Sequence, residues 1–370
     1  MRIVITGAEG FIGKNLRFRL RELGHEKVTF ITEATSARLL SKAVSDADIV
    51  FHLAGVNRPQ DVAEYARGNT GFTELLCEVL RSVDSPAPIV FSSSTQVLLD
   101  NPYGRSKLAA EWALQRYGAE TGVPTHICRL TNVFGKWAMP NYNSVVATFC
   151  YNISRGLEIR VNDPSAPLRL VYIDDVVDAF CCFLEPSFQE AGFFEVQPTY
   201  TTTVGEVADM LRCFWESRQS LHTPPVGTGL ARALYATYVS YLPPVSFAYR
   251  VPRHGDPRGV FVEMLKTPNC GQFSYFTAPP GATRGEHYHH SKTEKFLVIR
   301  GRARFGFRHI ISDERYELTV SGGEATIVET APGWTHNISN IGDEDMIVML
   351  WANEVFDPSK PDTVAMKVHA

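Results

Sequence analysis

The chain has 370 residues, of which 44% are hydrophobic and 21% charged, and its formal net charge is -4. That length exceeds one ordinary hydrophobic core and predicts two globular domains. The weak negative charge argues against a nucleic-acid surface as the main partner, and no apolar run is long enough to insert in a membrane.

Seven cysteines are scattered without a CxxC pair, which reads as free thiols of a reducing cytoplasm. The sequence opens on a strand-like segment and not on a charged-then-apolar leader, so a cytoplasmic location is expected.

Strand and helix patterns alternate from the start. Residues 2–7 (RIVITG), 28–32 (VTFIT), 48–55 (DIVFHLAG), 88–94 (PIVFSSS) and 126–135 (HICRLTNVFG) read as strands. Residues 11–23, 73–83 and 107–122 read as helices between them. The alternation predicts βαβ units and an α/β, Rossmann-like, doubly wound parallel sheet. It continues through residues 168–184 and 205–218 to a last helix-like run at 230–242.

Pro243-Pro244 then ends that pattern. Seven short segments punctuated by Gly and Pro follow: 259–265, 271–278, 295–301, 302–310, 314–320, 324–330 and 345–352. This predicts an all-β barrel or sandwich. The expected domains are therefore 1–244 and 245–370.

The first strand runs into Gly7, Gly10 and Gly13, with Phe11 and Ile12 opening a helix. Such glycines permit a tight turn, close approach of a pyrophosphate to backbone, and close strand–helix packing. Leu53-Ala54-Gly55 ends a buried strand with small residues beside which a nicotinamide cofactor can lie. Glu33 follows the second strand, where a carboxylate accepts from a ribose 2′-hydroxyl and favours NADH over NADPH. It can equally face solvent. Tyr103 and Lys107 are four apart and share a helix face; the ammonium is expected to lower the phenol's pKa and make it a usable acid. Ser92, Ser93 and Ser94 end the preceding strand.

This set resembles the extended short-chain dehydrogenase/reductase family across the first domain. The resemblance implies Ser94 and Tyr103 as hydrogen-bonders to a substrate carbonyl, Tyr103 as proton donor, and Lys107 as the group that tunes it and touches the ribose. It implies a nucleotide-sugar pocket bordered by Arg129, Asn132 and Gly135, and by Arg169 and Asp175. Only eight residues separate Ser94 from Tyr103, fewer than is usual in that family, so the choice among the three serines stays open.

In the second domain His287, His289 and Glu294 are followed by His336. His287 and His289 are two apart and face one side of a strand. Three imidazoles and a carboxylate suit a divalent metal such as zinc. The spacing from Gly281 to Gly301 resembles the cupin family, which implies a jelly-roll barrel. Residues 256–261 and 283–288 resemble the 3,5-epimerases of nucleotide 4-keto-6-deoxysugars, in which a proton beside a ketone is removed. The base stays open among His290, Tyr288, Lys295 and a hydroxide on the metal.

The two domains in this order, with residues 55–59 (GVNRP), 100–107 (DNPYGRSK), 134–151 (FGKWAMPNYNSVVATFCY) and 294–301 (EKFLVIRG), resemble a family of bifunctional capsular polysaccharide synthesis enzymes. That resemblance implies C3 epimerisation of UDP-2-acetamido-2,6-dideoxy-4-hexulose, then NADPH-dependent C4 reduction. The product would be the L-talose sugar on the route to UDP-N-acetyl-L-fucosamine. It also implies zinc and a homodimer. The competing reading is a lone reductase whose barrel is a zinc-stabilised dimerisation or sugar-binding module.

Overall fold

A computed structural model describes the chain apart from residues 186, 187, 189, 253, 257, 258, 262, 263, 268–270, 355, 356 and 370. For residues 254–256 and 259–261 it describes backbone alone. Pro257 and Arg258 of the epimerase-like segment thus lie outside the described residues.

Two compact units form. The first comprises Met1–Phe134, Tyr142–Ser144 and Leu168–Thr201; the second comprises Gly135–Asn141, Val145–Pro167 and Thr202–Ala370.

In chain order the first half runs β1 (Ile3–Thr6), α1 (Phe11–Glu22), β2 (Val28–Ile31), α2 (Ala37–Ser45) and β3 (Ile49–His52). A short α3 (Ala63–Tyr65) passes through a π-helical stretch, Ala66–Gly71, into α4 (Phe72–Ser82). There follow β4 (Ile89–Ser94), α5 (Pro102–Thr121), β5 (Thr125–Leu130), β6 (Asn132–Phe134), α6 (Val145–Ile153), β7 (Pro167–Tyr172), α7 (Ile173–Cys182), β8 (Gly192–Phe194) and β9 (Thr199–Thr203).

The main sheet has the order β2-β1-β3-β4-β5-β8 and is parallel throughout. Strands β1, β3 and β4 are buried along their whole length, as expected of strands covered on both faces. Val50, Ile89, Phe91 and Ile127 of the sheet pack with Leu76, Leu80 and Leu114 of the helices. The order reverses between β1 and β3, so their carboxyl ends flank the crevice where such sheets bind ligands. Gly7 and Leu53–Gly55 stand at that point. The expected doubly wound α/β fold is present.

The second unit contains α6, α8 (Val204–Ser220) and α9 (Gly229–Ser240) with an all-β array. Its strands are β10 (Ala248–Arg250), β11 (His254–Asp256), β12 (Gly259–Phe261), β13 (Gln272–Ala278), β14 (Thr283–Tyr288), β15 (Glu294–Arg300), β16 (Arg302–His309), β17 (Arg315–Ser321), β18 (Thr326–Glu329), β19 (Trp334–Asn340), β20 (Met346–Ala352) and β21 (Val364–Ala365). They form sheets β10-β18-β15-β20-β13 and β17-β16-β19-β14-β21, with β11 and β12 as a separate pair. Phe296 of one sheet meets Phe305 of the other, ring centroids 5.8 Å apart.

Compactness divides the chain differently from the change of pattern at residue 245. A buried ion network explains why α8 and α9 group with the strands. Glu329 of β18 accepts from Arg218 of α8 at 2.6 Å and from Tyr235 of α9 at 3.1 Å, and also from Lys295 of β15. Helix α8 begins with a reciprocal capping box, Thr203 with Glu206, which satisfies two backbone N–H groups that a helix start leaves open. No described helix is long and apolar enough to cross a membrane.

Candidate active sites

In the first unit, Gly7 has φ +68°, and a Cβ there would lie 2.6 Å from the Ala54 nitrogen. A Cβ on Gly13 would lie 2.3 Å from the Gly7 oxygen. The turn and the close strand–helix approach therefore require glycine at both positions. Gly10 precedes Phe11 and Ile12 at the start of α1, where no side chain caps the helix and its first turn carries no acid. Its N–H groups and dipole suit a pyrophosphate. Glu33 lies exposed beyond β2.

Leu53 and Ala54 are held by hydrogen bonds from their backbone N–H groups to Thr6 Oγ1, both 3.2 Å. That hydroxyl, its acceptor positions filled, gives its proton to His52 Nδ1 at 2.8 Å. Thr73 Oγ1 donates to the Asn69 carbonyl at 2.7 Å, so it accepts from His52 Nε2 at 2.8 Å. The chain of donors fixes a neutral Nε2–H tautomer. Burial, with the Lys107 charge nearby, pushes the His52 pKa down to about 3. Asn69, which the sequence reading missed, ties Val56 to Ser106: Oδ1 accepts from Val56 N–H at 2.8 Å and Nδ2 donates to Ser106 Oγ at 2.9 Å.

The short Ser94–Tyr103 connection is a 3-10 turn, Thr95–Leu98, running almost directly into α5. Asn101 caps that helix by accepting from Gly104 N–H at 2.7 Å, with Pro102 in its first turn. A Cβ on Gly104 would lie 2.2 Å from the Gln96 oxygen, so a glycine next to Tyr103 lets the helix start sit on the turn. Strand alternation separates the serines. Ser94, whose hydroxyl accepts from the Gln96 N–H at 3.2 Å, is the serine that acts on the Tyr103 phenol, whereas the Ser93 hydroxyl donates to Glu111 at 2.5 Å. Ser92 offers its carbonyl to Lys107 Nζ at 2.8 Å.

The electrostatics correct one expectation. Burial pushes the Tyr103 phenol up to about 12, only partly offset by Ser94; it is not acidified by the ammonium. Burial also lowers Lys107 to about 8, against the pull of Glu111. Both groups pay the desolvation cost of ionising in a low-dielectric site.

Arg129 and Arg169 line one small cleft with Thr95, Thr131, Glu195 and Thr199. Asn132 joins them, donating to the Arg169 carbonyl at 3.2 Å. Arg129 is already engaged: Nε and Nη2 reach the two oxygens of Glu111 at 3.0 and 2.7 Å, and that carboxylate is 1% exposed. Glu111 sits two turns beyond Tyr103 on α5 in an unremarkable helical sequence, so nothing in the sequence marked it.

In the second unit, His287 and His336 are cross-strand partners on β14 and β19, while Glu294 begins β15. One donor atom from each of His287, His289, Glu294 and His336 lies within 4.8 Å of the others. His289 Nδ1 meets the Asp362 carbonyl at 2.5 Å, so it carries the proton and leaves an Nε2 lone pair 3.2 Å from Glu294 Oε2. Two lone pairs at that separation need a positive charge between them. Neither ring nitrogen of His336 makes a hydrogen bond among the described residues, and Nε2 stands 3.4 Å from the same oxygen. Burial and the neighbouring imidazoles push His287 down to about 3. Burial opposes ionisation of Glu294, yet His289 and His336 hold its carboxyl well below the usual range. Three imidazoles converging on one carboxylate fit a zinc ion.

The structure removes Lys295 from the candidate bases. Its ammonium is buried against Glu329 and donates to Tyr249 at 2.9 Å; despite burial, Glu329 raises its pKa far above that of a free lysine. Lys292, not singled out from sequence, has Nζ 3.4 Å from Glu294 Oε1.

The NAD dependent epimerase/dehydratase family matches residues 3–193, and the polysaccharide biosynthesis C-terminal domain matches residues 254–364. The chain is 54% identical to the UDP-2-acetamido-2,6-beta-L-arabino-hexul-4-ose reductase of Pseudomonas aeruginosa, over 100% of this chain and 99% of the relative. It is 42% identical to the crystal structure of the capsular polysaccharide assembling protein CapF from Staphylococcus aureus, with TM-score 0.68 over 99% of this chain and 100% of that one. A UDP-glucose 4-epimerase from Thermotoga maritima shares the fold at 24% identity and TM-score 0.52, over 58% of this chain and 82% of that one. The chain belongs to the NAD dependent epimerase/dehydratase family and is a nicotinamide-dependent enzyme.

Proposed function

We propose that the chain is a bifunctional nucleotide-sugar enzyme. Residues 245–370 would epimerise C3 of UDP-2-acetamido-2,6-dideoxy-4-hexulose. Residues 1–244 would then reduce the C4 ketone, giving UDP-2-acetamido-2,6-dideoxy-L-talose on the route to UDP-N-acetyl-L-fucosamine for surface polysaccharide. The observation that carries this reading is that one chain holds both a Ser94–Tyr103 pair and a four-residue donor cluster.

For reduction, bound NADPH or NADH supplies the hydride. Tyr103, un-ionised at neutral pH, hands its phenolic proton to the C4 oxygen as the hydride reaches C4, and Ser94 holds that oxygen in place. Lys107, fixed on the Ser92 carbonyl, would offer its ammonium to the coenzyme ribose. The anionic diphosphate of the substrate suits Arg169, with Arg129 held by Glu111 at the cleft wall. Glu33, two residues beyond β2, favours NADH by repelling a 2′-phosphate; comparing KM for the two coenzymes decides the preference.

For epimerisation, His287, His289, Glu294 and His336 would hold zinc, which supplies a Lewis acid able to polarise a ketone beside the carbon losing its proton. His290 and Tyr288 remain the side-chain bases to test. Phe273, Tyr275, Ile299 and Met349 are exposed on neighbouring strands β13, β20 and β15. This apolar patch supports a homodimer.

Incubation of the UDP-ketosugar in D2O tests the proposal. Deuterium at C3 without coenzyme, followed by reduction when coenzyme is added, is expected. Reduction with no exchange at C3 returns the barrel to a binding or dimerisation module.

A further inference from the structure

In the C-terminal segment, Asp362 makes side-chain and backbone contacts beside the donor cluster. Its Oδ1 accepts the His290 backbone N–H at 2.8 Å. Its Oδ2 accepts the N–H groups of Ser291 and Lys292, both 2.7 Å, and the Ser291 hydroxyl at 3.0 Å. One carboxylate thus satisfies four donors of the turn that carries the chain from His289 to Glu294. Its own carbonyl accepts from His289 Nδ1. Beyond it, Val364 and Ala365 pair with Tyr288 and His287, so the segment runs as a strand beside the ligand-bearing β14.

Both contacts bear on the ion site. A hydrogen bond from the far nitrogen of a ligating histidine to a carbonyl fixes its tautomer and ring angle. Several N–H groups converging on a carboxylate are charge-assisted and directional, so the 290–292 turn has little freedom. Lys292 continues the link: Nζ lies 3.4 Å from Thr363 Oγ1 and 3.4 Å from Glu294 Oε1. The other Glu294 oxygen faces His289 and His336.

We propose that Asp362 is the positioning residue of the metal centre: its carboxylate seats the 290–292 turn and its carbonyl aims His289 Nε2 at the ion. The assignment rests on the metal reading above. The plainer role is a staple that only fastens the C-terminal segment.

Zinc affinity of the full chain, measured by competition with a chromophoric chelator, separates the two, with thermal unfolding recorded with and without zinc. In Asp362→Asn the amide nitrogen cannot accept, so at least one N–H is left unpaired. Zinc binding is expected to weaken about 10–100-fold, and the rise in Tm on adding zinc to shrink with it. A staple predicts a lower Tm in both states, with the zinc-induced rise and the affinity kept; that result overturns the proposal. Should Asp362→Asn not fold, Asp362→Glu keeps the charge but moves the carboxylate by one methylene. Weakened zinc binding in that folded variant supports the proposal and unchanged binding overturns it. A wild-type chain that takes up no zinc overturns the metal reading and this assignment together, whereas a zinc-binding wild type with unaffected variants overturns only the assignment.

Discussion

Lys107 Nζ donates to the Ser92 carbonyl oxygen at 2.8 Å, across the gap between helix α5 and the end of strand β4. The bond fixes a cation on the residue two positions before Ser94, in a site where burial lowers the ammonium to about 8. Charge at this point is therefore sensitive to pH in the working range.

That sensitivity gives opposite trends for activity and stability. Reductase kcat/KM is expected to fall as pH rises through about 8, because the ammonium is lost from the free enzyme. Between about 8 and 10.5 the folded chain binds fewer protons at Lys107 than the unfolded chain does. Stability from this group therefore rises with pH across that window. Urea unfolding of wild type against Lys107→Met, at pH 7 and pH 10, checks the sign: wild type should gain relative to the variant at the higher pH.

Tyr103→Phe removes the proton donor while keeping the ring packed against Tyr65, whose centroid is 5.8 Å away. Coenzyme oxidation with the ketosugar should drop by about 10²–10⁴-fold, and deuterium exchange at C3 should continue. Loss of both activities would show that the two centres are not separable.

His336→Ala removes a buried donor from the cluster. C3 exchange and bound zinc should be lost together, while reduction of a C3-epimerised ketosugar supplied directly should persist. Mass spectrometry of the exchanged sugar and metal analysis of the dialysed protein give the two readings.

Acid should release the metal late. Burial depresses His287 to about 3, and His336 is also lowered, so protons compete poorly for these nitrogens between pH 7 and pH 5. Zinc content after dialysis across that range is expected to stay constant. Loss near pH 6, where ordinary imidazoles protonate, would argue against the cluster as the ion's ligands.

Gly104→Ala places a methyl group 2.2 Å from the Gln96 carbonyl oxygen. The start of α5 must shift, at a cost of about 1–3 kcal/mol typical of overpacking, and Tyr103 moves with it. Urea unfolding should report the loss of stability, and coenzyme oxidation should fall more steeply than the C3 exchange rate.

Much of the chemistry was legible in local spacing. Gly7, Gly10 and Gly13 bracket one turn, and Tyr103 with Lys107 share a helix face, so neighbours in sequence become neighbours in space. His287 and His289 flank a single strand residue in the same way. The ammonium's effect on Tyr103 was misread because spacing reports proximity but not burial, and burial dominates both groups. Glu111 and Asn69 escaped notice because their partners, Arg129, Val56 and Ser106, lie 13 to 37 residues away.

The order of strand and helix patterns by itself determined a parallel α/β sheet followed by β-strands, because alternating hydrophobicity is a local property of the chain. Tertiary structure alone decided which serine meets the tyrosine, that Lys295 is spent on Glu329, and that Asp362 closes around the turn after His289. Those outcomes depend on long-range pairing and on removal of charge from water, neither of which a linear spacing records.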